Sequence, residues 1–181
     1  MRRDDVVFWT RIEGLPEIEP IKPAHNFIPG WFYNVPNWVE NQIPNIDKST
    51  VRRCPGIIDF FKLGYVVPLW CDLYININED GSYIWRTPDE RFKFVDHPRT
   101  QFTDYIPDEA QKNVSLVLKA YCPWYAKTPR GVSLLQIPMS YNFDQRFSLL
   151  PGTIQTDKYH YLNQQLIIHS KGETFIPKGT P

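Results

Sequence analysis

Metal binding is the first chemistry for which the sequence offers candidate side chains. The four histidines, His25, His97, His160 and His169, stand singly, and no H-x-H or H-x-D spacing occurs. His160 and His169 are nine residues apart, on a predicted strand and its approach. An oxygen-activating site needs two close histidines and a carboxylate. We therefore expect hydrogen-bonded or solvated structural histidines, with no metal and no cofactor.

Nucleophilic catalysis also has few candidates. The cysteines are Cys54, Cys71 and Cys122, without a C-x-x-C pair, so we expect reduced thiols rather than disulfides or a zinc site. Cys71 lies in an apolar run and is predicted to be buried and inert. Cys54 precedes a predicted helix that would activate it, but Pro55 after it is an ordinary helix start. Motifs for a serine nucleophile elbow or a phosphate loop are missing from the sequence.

The composition argues against an electrostatic partner. The 181 residues include 20 basic and 20 acidic side chains, so we expect no non-specific binding to nucleic acid or to a membrane surface. The N-terminus has no apolar h-region of a signal peptide, and no apolar run reaches transmembrane length. The six tryptophans would suit a sugar or base platform, but core packing is the favoured use.

Residues 1–48 are predicted to form an extended arm, rich in proline and aromatic residues, that packs on a β-rich domain of residues 49–181. Residues 6–12 are typical of a short strand, and residues 15–23, with three prolines, are predicted to be extended. Residues 32–34 are too short for a helix. Residues 37–42 are predicted to form one or two helical turns, with Asn37 as cap. The aromatic residues of this arm are Trp31, Phe32, Tyr33 and Trp38.

The rest of the chain predicts one short helix and many short strands. The helix is placed at about residues 55–63, because Pro55 suits its first turn and Gly64 the position after its end. Strands at residues 65–77 and 82–86 are joined by the hairpin signal at residues 78–81. Residues 87–108 are polar and loop-like. The remaining predicted strands are residues 114–121, ending at Cys122, and residues 132–137, 147–150, 161–169 and 174–177.

Seven to nine short strands and one helix predict a mainly β protein. The architecture expected from this pattern is an antiparallel β-sandwich or barrel.

Four phrases of the chain resemble an uncharacterised protein family of tailed phages and bacteria. They are VRRCPGIIDFFKLGYVVPLWCDLYI at residues 51–75, PWYAKTPRGVSLL at 123–135, FSLLPGTIQTD at 147–157 and FIPKGTP at 175–181. The match covers most of residues 25–181 in order. Members of that family usually continue past the final Gly-Thr-Pro with one more apolar strand. The resemblance implies a phage setting but no particular activity.

The same phrases are also similar to the dUTPase and dCTP deaminase fold, a trimeric β-clip. Residues 129–131 resemble its Pro-Arg-Ser-Gly turn without the serine, and residues 152–157 resemble its Gly-Val-Ile-Asp hairpin. Residues 175–179 resemble its late strand with a glycine turn. The resemblance implies a β-clip-like or jelly-roll-like scaffold with a pocket at residues 150–159. The binding residues that it implies are Arg130, Gln155, Asp157 and Tyr159.

Departures from that pattern argue against the dUTPase activity. Gln155 stands where the family has the aspartate that activates water, and a neutral amide is not a general base. Tyr159 comes one place later than the tyrosine that stacks on the sugar. The glycine-rich phosphate lid has no counterpart in the sequence, and a glutamate for deaminase chemistry has no convincing match. The resemblance therefore implies a scaffold and no catalytic residue.

The leading hypothesis is a non-catalytic, phage-type structural or binding protein. It would assemble through Trp31, Phe32, Tyr33 and Trp38 and through strand edges, as a homo-oligomer with a trimer favoured, or with other virion proteins. Its location would be the cytoplasm of an infected or bacterial cell, or the virion.

Three alternatives stay open. The first is a nucleotide- or small-molecule-binding enzyme at residues 150–159, with Asp157 or Asp72 as base and Arg130 as an anion contact. The others are a metal-dependent oxygenase and a β-rich domain whose aromatic residues only pack the core.

Overall fold

The structure is a computed structural model that describes residues 5–39 and 48–181. Packing divides the chain into two units. The first unit comprises residues 1–20 and 68–180, and the second comprises residues 21–67 and Pro181. The predicted boundary between an arm and a domain at residue 48 adjoins residues 40–47, which lie outside the described residues, and it stays a prediction.

The described residues form twelve short strands and four short α-helices. The strands are β1 (Val7–Thr10), β2 (Lys22–Pro23), β3 (Tyr65–Val66), β4 (Leu73–Ile77), β5 (Tyr83–Arg86), β6 (Phe94–Asp96), β7 (Leu116–Lys127), β8 (Leu134–Gln136), β9 (Phe147–Leu149), β10 (Gly152–Ile154), β11 (Tyr161–Ile168) and β12 (Gly172–Ile176). The helices are α1 (Leu15–Ile18), α2 (Gly30–Asn34), α3 (Pro55–Phe60) and α4 (Asp108–Gln111). Five 3₁₀ turns lie at Ala24–Phe27, Val51–Arg53, Arg99–Gln101, Thr103–Tyr105 and Ser140–Asn142. The predicted mainly β class with a short helix near residue 55 is confirmed.

Antiparallel pairing organises the first unit into three sheets. The largest has the order β1-β7-β11-β9, and β6 also pairs with β7. The second has the order β12-β4-β5, and the third pairs β10 with β8. None of the sheets built from described residues closes on itself, so the barrel alternative is corrected to open antiparallel sheets.

Both larger sheets of the first unit contribute buried residues to its core. Along β4 the side chains alternate, with Leu73, Ile75 and Ile77 buried and the residues between them half-buried, as expected for a strand with one core face. Trp85 on β5 contacts Phe94 on β6, with ring centroids 4.8 Å apart, and this contact links the two sheets. None of the helices in residues 5–39 and 48–181 is long and apolar enough to span a membrane.

The second unit is held together by a short strand pair and an aromatic contact. Strands β2 and β3 are antiparallel, with Lys22 opposite Val66. The rings of Phe32 on α2 and Phe61 after α3 are 4.9 Å apart, and both side chains are buried. Helix α3 ends at Phe60, three residues before its predicted end, and Gly64, with φ 64°, ends the turn that follows the helix.

The hairpin predicted around residues 78–81 is confirmed as β4, a turn and β5. Ile77 lies opposite Tyr83, and Asn78 donates its backbone N–H to the carbonyl of Ser82. Gly81 has φ 84°, which only glycine adopts without strain.

Two predictions for residues 1–48 are wrong. Residues 15–23 do not form one extended strap, because α1 begins after Gly14 (φ 75°) with Pro16 in its first turn, where a missing N–H costs no hydrogen bond. Residues 32–34 belong to α2, a helix of five residues that begins after Pro29, and the N–H of Phe32 donates to the Pro29 carbonyl. The helical turn predicted at residues 37–42 lies partly outside the described residues, and within them Trp38 forms a β-bridge with Ser49.

Two predictions for the β-rich part are also wrong. The strand predicted to end at Cys122 continues to Lys127. Pro123 is tolerated for two reasons. Strand β1 pairs with β7 only from Trp124 onward. Between the pairs Tyr125–Tyr161 and Tyr121–Asn163, β7 has two more residues than β11, so its register shifts in a bulge there. The segment 87–108, predicted to be a loop, contains β6, whose Val95 lies opposite Lys119 of β7.

Candidate functional site

The predicted binding residues lie in two neighbouring turns of the first unit. The turn after β7 carries Arg130 and Gly131, and the turn after β10 carries Gln155 and Asp157. The backbone N–H of Gly131 donates to Oδ2 of Asp157, 2.9 Å away. The two segments that the sequence placed together are therefore adjacent in space.

A buried pair of hydroxyl groups joins these turns. Oγ1 of Thr128 and Oγ1 of Thr156 are 2.8 Å apart, and both residues are almost fully buried. Thr128 also donates its single hydroxyl hydrogen to the carbonyl of Val132, 2.6 Å away. Thr156 is consequently the donor in the pair. The sequence analysis did not select these threonines, which lie beside the residues that it did select.

The chemistry open to the predicted residues is limited by their contacts. One carboxylate oxygen of Asp157 already accepts the Gly131 N–H, and Oδ1 of Asp72 accepts the backbone N–H of Lys178 at 2.7 Å. Gln155 and Tyr159 are exposed, and Tyr159 donates its backbone N–H to the Gln155 carbonyl. A carboxylate that accepts a backbone N–H in a turn stabilises that turn. The geometry therefore fits a structural role, in which Asp157 joins the two turns beside the exposed side chain of Arg130.

A groove in the first unit lies apart from these turns. It has a volume of about 780 Å³ and lies along β6 and the middle of β7. Its lining residues are Glu90, Arg91, Lys93, Phe94, Val95 and Tyr121. None of the predicted binding residues contributes to it.

The predicted interface residues are divided by burial. Phe32 is buried against Phe61, and the guanidinium of Arg52 lies 5.1 Å from its ring centroid. Tyr33 and Trp38 keep 57% and 55% of their surface exposed. Phe32 thus contributes to the interior of the second unit, whereas Tyr33 and Trp38 present apolar surface.

Arginines hold these exposed rings in place. The guanidinium of Arg53 lies 4.0 Å from the ring centroid of Trp38, and that of Arg52 lies 5.2 Å from the ring of Tyr33. Arg52 is itself fixed, because its Nη1 donates to the Phe32 carbonyl at 2.7 Å. Cation–π contacts of this kind restrict the orientation of the aromatic side chains.

The histidines take part in separate local contacts. His25 is exposed, Nδ1 of His97 lies 2.8 Å from Oε1 of Gln101, and Nδ1 of His160 lies 3.0 Å from the Thr156 carbonyl. His169 bonds through both ring nitrogens. Among the described residues, no group of three or more His, Cys, Asp or Glu side chains has a geometry that would hold a metal ion.

The partner of His169 is a serine that the sequence analysis missed. Oγ of Ser148 on β9 lies 2.7 Å from Nε2 of His169 at the end of β11. The residues are 21 positions apart, and only the pairing of β9 with β11 brings them together. The one sequence signal was that the strands predicted at 147–150 and 161–169 were near enough along the chain to pair.

The three cysteines are unpaired and differ in accessibility. Cys54 is exposed, Cys71 is buried and Cys122 is half-buried. Burial raises the pKa of the Cys71 thiol, although a hydrogen bond with Thr87 acts in the opposite direction. Burial also raises the pKa of Cys122, to about 12. Both of these thiols are therefore kept in the unreactive, protonated form.

We expect one fast-reacting thiol per chain. At pH 8 a disulfide reagent such as Ellman's reagent should modify Cys54 of the folded protein, and all three cysteines after denaturation, because only Cys54 is exposed. Cys54→Ser should abolish the fast reaction. A second fast thiol in the folded protein would contradict the burial of Cys71 and Cys122.

The fold and the turns define a mainly β protein with open antiparallel sheets and two small packing units. Comparisons of the chain with protein-family models, curated proteins and solved structures found no match.

Proposed function

We propose that the protein is a structural and binding protein that assembles with copies of itself through the second unit. The observation that carries this proposal is the exposure of Tyr33 and Trp38, at 57% and 55% of their surface. Other large apolar side chains of the same unit are exposed as well. They are Val39, Val51, Leu63 and Tyr65.

Burial of these side chains would supply the association energy. Fully burying one large apolar side chain stabilises by about 1.5–3 kcal/mol, and aromatic rings dominate interface energetics. The second unit is small, and six such exposed side chains are many for a monomer surface of that size. Contact with a second copy would remove this surface from water.

The arginine contacts favour a preorganised interface. Arg53 over Trp38 and Arg52 over Tyr33 hold both rings without covering them completely. Aromatic residues and arginine are the side chains most enriched at the energetic centre of interfaces. Rings that are already fixed lose less conformational entropy on association.

The resemblances of the sequence supply the setting of this proposal. The phrases shared with the tailed-phage and bacterial family support a role in an infected or bacterial cell, or in the virion. The similarity to the trimeric β-clip supports a trimer over other oligomers, with other virion proteins as the alternative partners.

Paired surface substitutions test the assembly. The double variant Tyr33→Ser, Trp38→Ser should shift the sedimentation coefficient of the protein towards that of a single chain, because it removes the two exposed rings. Tyr105→Ser is the matched control, since Tyr105 in the first unit is 80% exposed. If the double variant sediments like the wild type and the control at the same concentration, assembly through Tyr33 and Trp38 is contradicted.

An enzyme or ligand-binding protein at residues 150–159 is the second candidate. The observation in its favour is the adjacency of the two turns, which places the exposed Arg130 beside the Asp157 turn. Thermal stabilisation of the protein by a nucleotide or a small acid, lost in Arg130→Gln, would favour this candidate. Unchanged melting across such a panel would count against it.

A further inference from the structure

Ser148 and His169 form a hydrogen-bonded pair with the arrangement of a nucleophile and a general base. Ser148 Oγ and His169 Nε2 are 2.7 Å apart, and both residues are half-buried. A third group orients the imidazole, because its Nδ1 lies 2.8 Å from the carbonyl oxygen of Asn113. A serine, a base and a group that orients the base are the components of nucleophilic catalysis.

The Asn113 carbonyl determines which imidazole nitrogen is protonated. A carbonyl oxygen only accepts hydrogen bonds, so Nδ1 of His169 must carry the hydrogen. In the neutral imidazole, Nε2 then has a free lone pair and accepts the hydroxyl hydrogen of Ser148. This is the tautomer that a general base for Ser148 requires.

Hydrogen bonds fix the backbone of His169, which carries the imidazole. The backbone N–H of His169 donates to the Arg146 carbonyl, and the His169 carbonyl accepts from Oγ of Ser115 at 3.0 Å. The backbone N–H of Ser115 donates to the Ile168 carbonyl. The backbone of His169 is therefore hydrogen-bonded both to Arg146 and to Ser115, and these bonds fix the position of the imidazole ring.

The free edge of β9 supplies access and one donor. The Arg146 carbonyl bonds to His169 and the Leu150 N–H bonds to Gln165, so the N–H of Leu149 between them points to the opposite edge of β9. In residues 5–39 and 48–181 no strand pairs with that edge. The N–H of the residue after a nucleophile is suited to stabilise an oxyanion on an acyl group bound to that nucleophile.

The charged side chains just before β9 are paired with each other, which favours an uncharged substrate. Nε of Arg146 lies 3.0 Å from Oδ1 of Asp144. Burial acts to raise the pKa of Asp144, but the hydrogen bonds and charge of Arg146, with a smaller contribution from His169, lower it overall. Ile167 lies directly opposite Ser148 on β11 and shares its face.

We propose that Ser148 is an acyl-accepting nucleophile, with His169 as its general base and small, uncharged carboxylic esters as the substrate class. Ser148 Oγ attacks the ester carbonyl carbon and forms an Oγ–C bond, while its proton moves to Nε2 of His169. The C–O bond to the alcohol breaks, and the leaving oxygen takes that proton. Water then attacks the acyl group and passes a proton to Nε2, and Ser148 Oγ leaves with it, so that ester and water become acid and alcohol.

The proposed reactivity is independent of assembly through the second unit. All of its residues lie in the first unit, and none of the exposed aromatic residues takes part. Because only one backbone donor faces the oxyanion, turnover should be slow, and formation of the covalent adduct is the more sensitive measurement.

A fluorophosphonate probe tests the proposal on the full chain. Reaction forms an Oγ–P bond, breaks the P–F bond and releases fluoride and a proton. Intact mass and peptide mapping should show one adduct per chain, on the peptide that contains Ser148. Ser148→Ala should abolish the adduct, and hydrolysis of p-nitrophenyl acetate should fall to the background rate in the same variant. No adduct on the wild type, or an adduct on another residue, would overturn the assignment.

His169→Asn separates the base from the structural bond. The asparagine amide retains a donor near the position of Nδ1 for the Asn113 carbonyl but has no counterpart of Nε2. Labelling should slow about 100-fold or more, the usual contribution of a general base. The controls are Ser133→Ala and His25→Gln, at exposed positions without a hydrogen bond to the pair, which should label like the wild type. Equal labelling of His169→Asn and the wild type would show that His169 only supports the fold.

Discussion

Phe92→Ala is expected to lower the free energy of unfolding by about 3–5 kcal/mol, the usual cost of a phenylalanine truncation in a core. Phe92 is 1% exposed, and its ring lies 5.9 Å from that of Trp70 and 6.5 Å from that of Trp85. The substitution would leave a cavity among these rings. Urea unfolding followed by circular dichroism, at one protein concentration, measures the change.

Phe175→Ala on β12 is the matched control for this substitution. Phe175 is 52% exposed, so its truncation should change the free energy of unfolding by about 0.5 kcal/mol or less. If the two variants were equally stable, the core would not lie where the structure places Phe92.

The buried threonine pair predicts an asymmetric result. In the chain of hydrogen bonds from Thr156 to Thr128 to the Val132 carbonyl, each hydroxyl donates to the next group. Thr128→Val leaves the buried Thr156 hydroxyl without its acceptor and should cost about 1–3 kcal/mol, the penalty for an unsatisfied buried group. Thr156→Val removes only a donor and should cost about 0.5–1.5 kcal/mol.

A double-mutant cycle checks the direction of these bonds. The double variant Thr128→Val, Thr156→Val has no orphaned hydroxyl, so it should cost no more than Thr128→Val alone. Thermal or urea unfolding of the four proteins measures the cycle. Equal single-variant costs that add in the double variant would mean that the pair is not coupled as described.

Local signals in the sequence predicted the elements that have a local cause. The hairpin of β4 and β5 follows from the turn residues 78–81, where Gly81 adopts positive φ. The start of helix α3 follows from Pro55 in its first turn, whereas the helix ends at Phe60, before the position that Gly64 indicated. These features depend on the backbone preferences of single residues, which the sequence states directly.

Two features that depend on distant pairing were not predicted. Strand β6 is three residues long in a polar segment, and it exists because it pairs with residues 118–120 of β7. Pro123 indicated a strand end, but a proline is tolerated where the neighbouring strands leave its backbone unpaired. Tertiary context overrode the local preference in both cases.

In the candidate site, too, some contacts agree with the sequence patterns and others depend on distant strand pairing. The adjacency of the Arg130 and Asp157 turns agrees with the two phrases that the sequence analysis selected together. The role of Asp157 as a turn acceptor depends on the Gly131 N–H, which no residue pattern specifies. The Ser148–His169 pair required the register of β9 on β11, where Ser148 lies opposite Ile167. One residue of register change would move Ser148 to the other face.

The mass of the protein in solution tests the central proposal most directly. Static light scattering of the full chain, over a hundredfold range of concentration, should give a mass above that of one chain, approaching three chains at high concentration. The mass should fall on dilution as the contacts through Tyr33 and Trp38 dissociate. The mass of a single chain at every concentration would contradict assembly through the second unit.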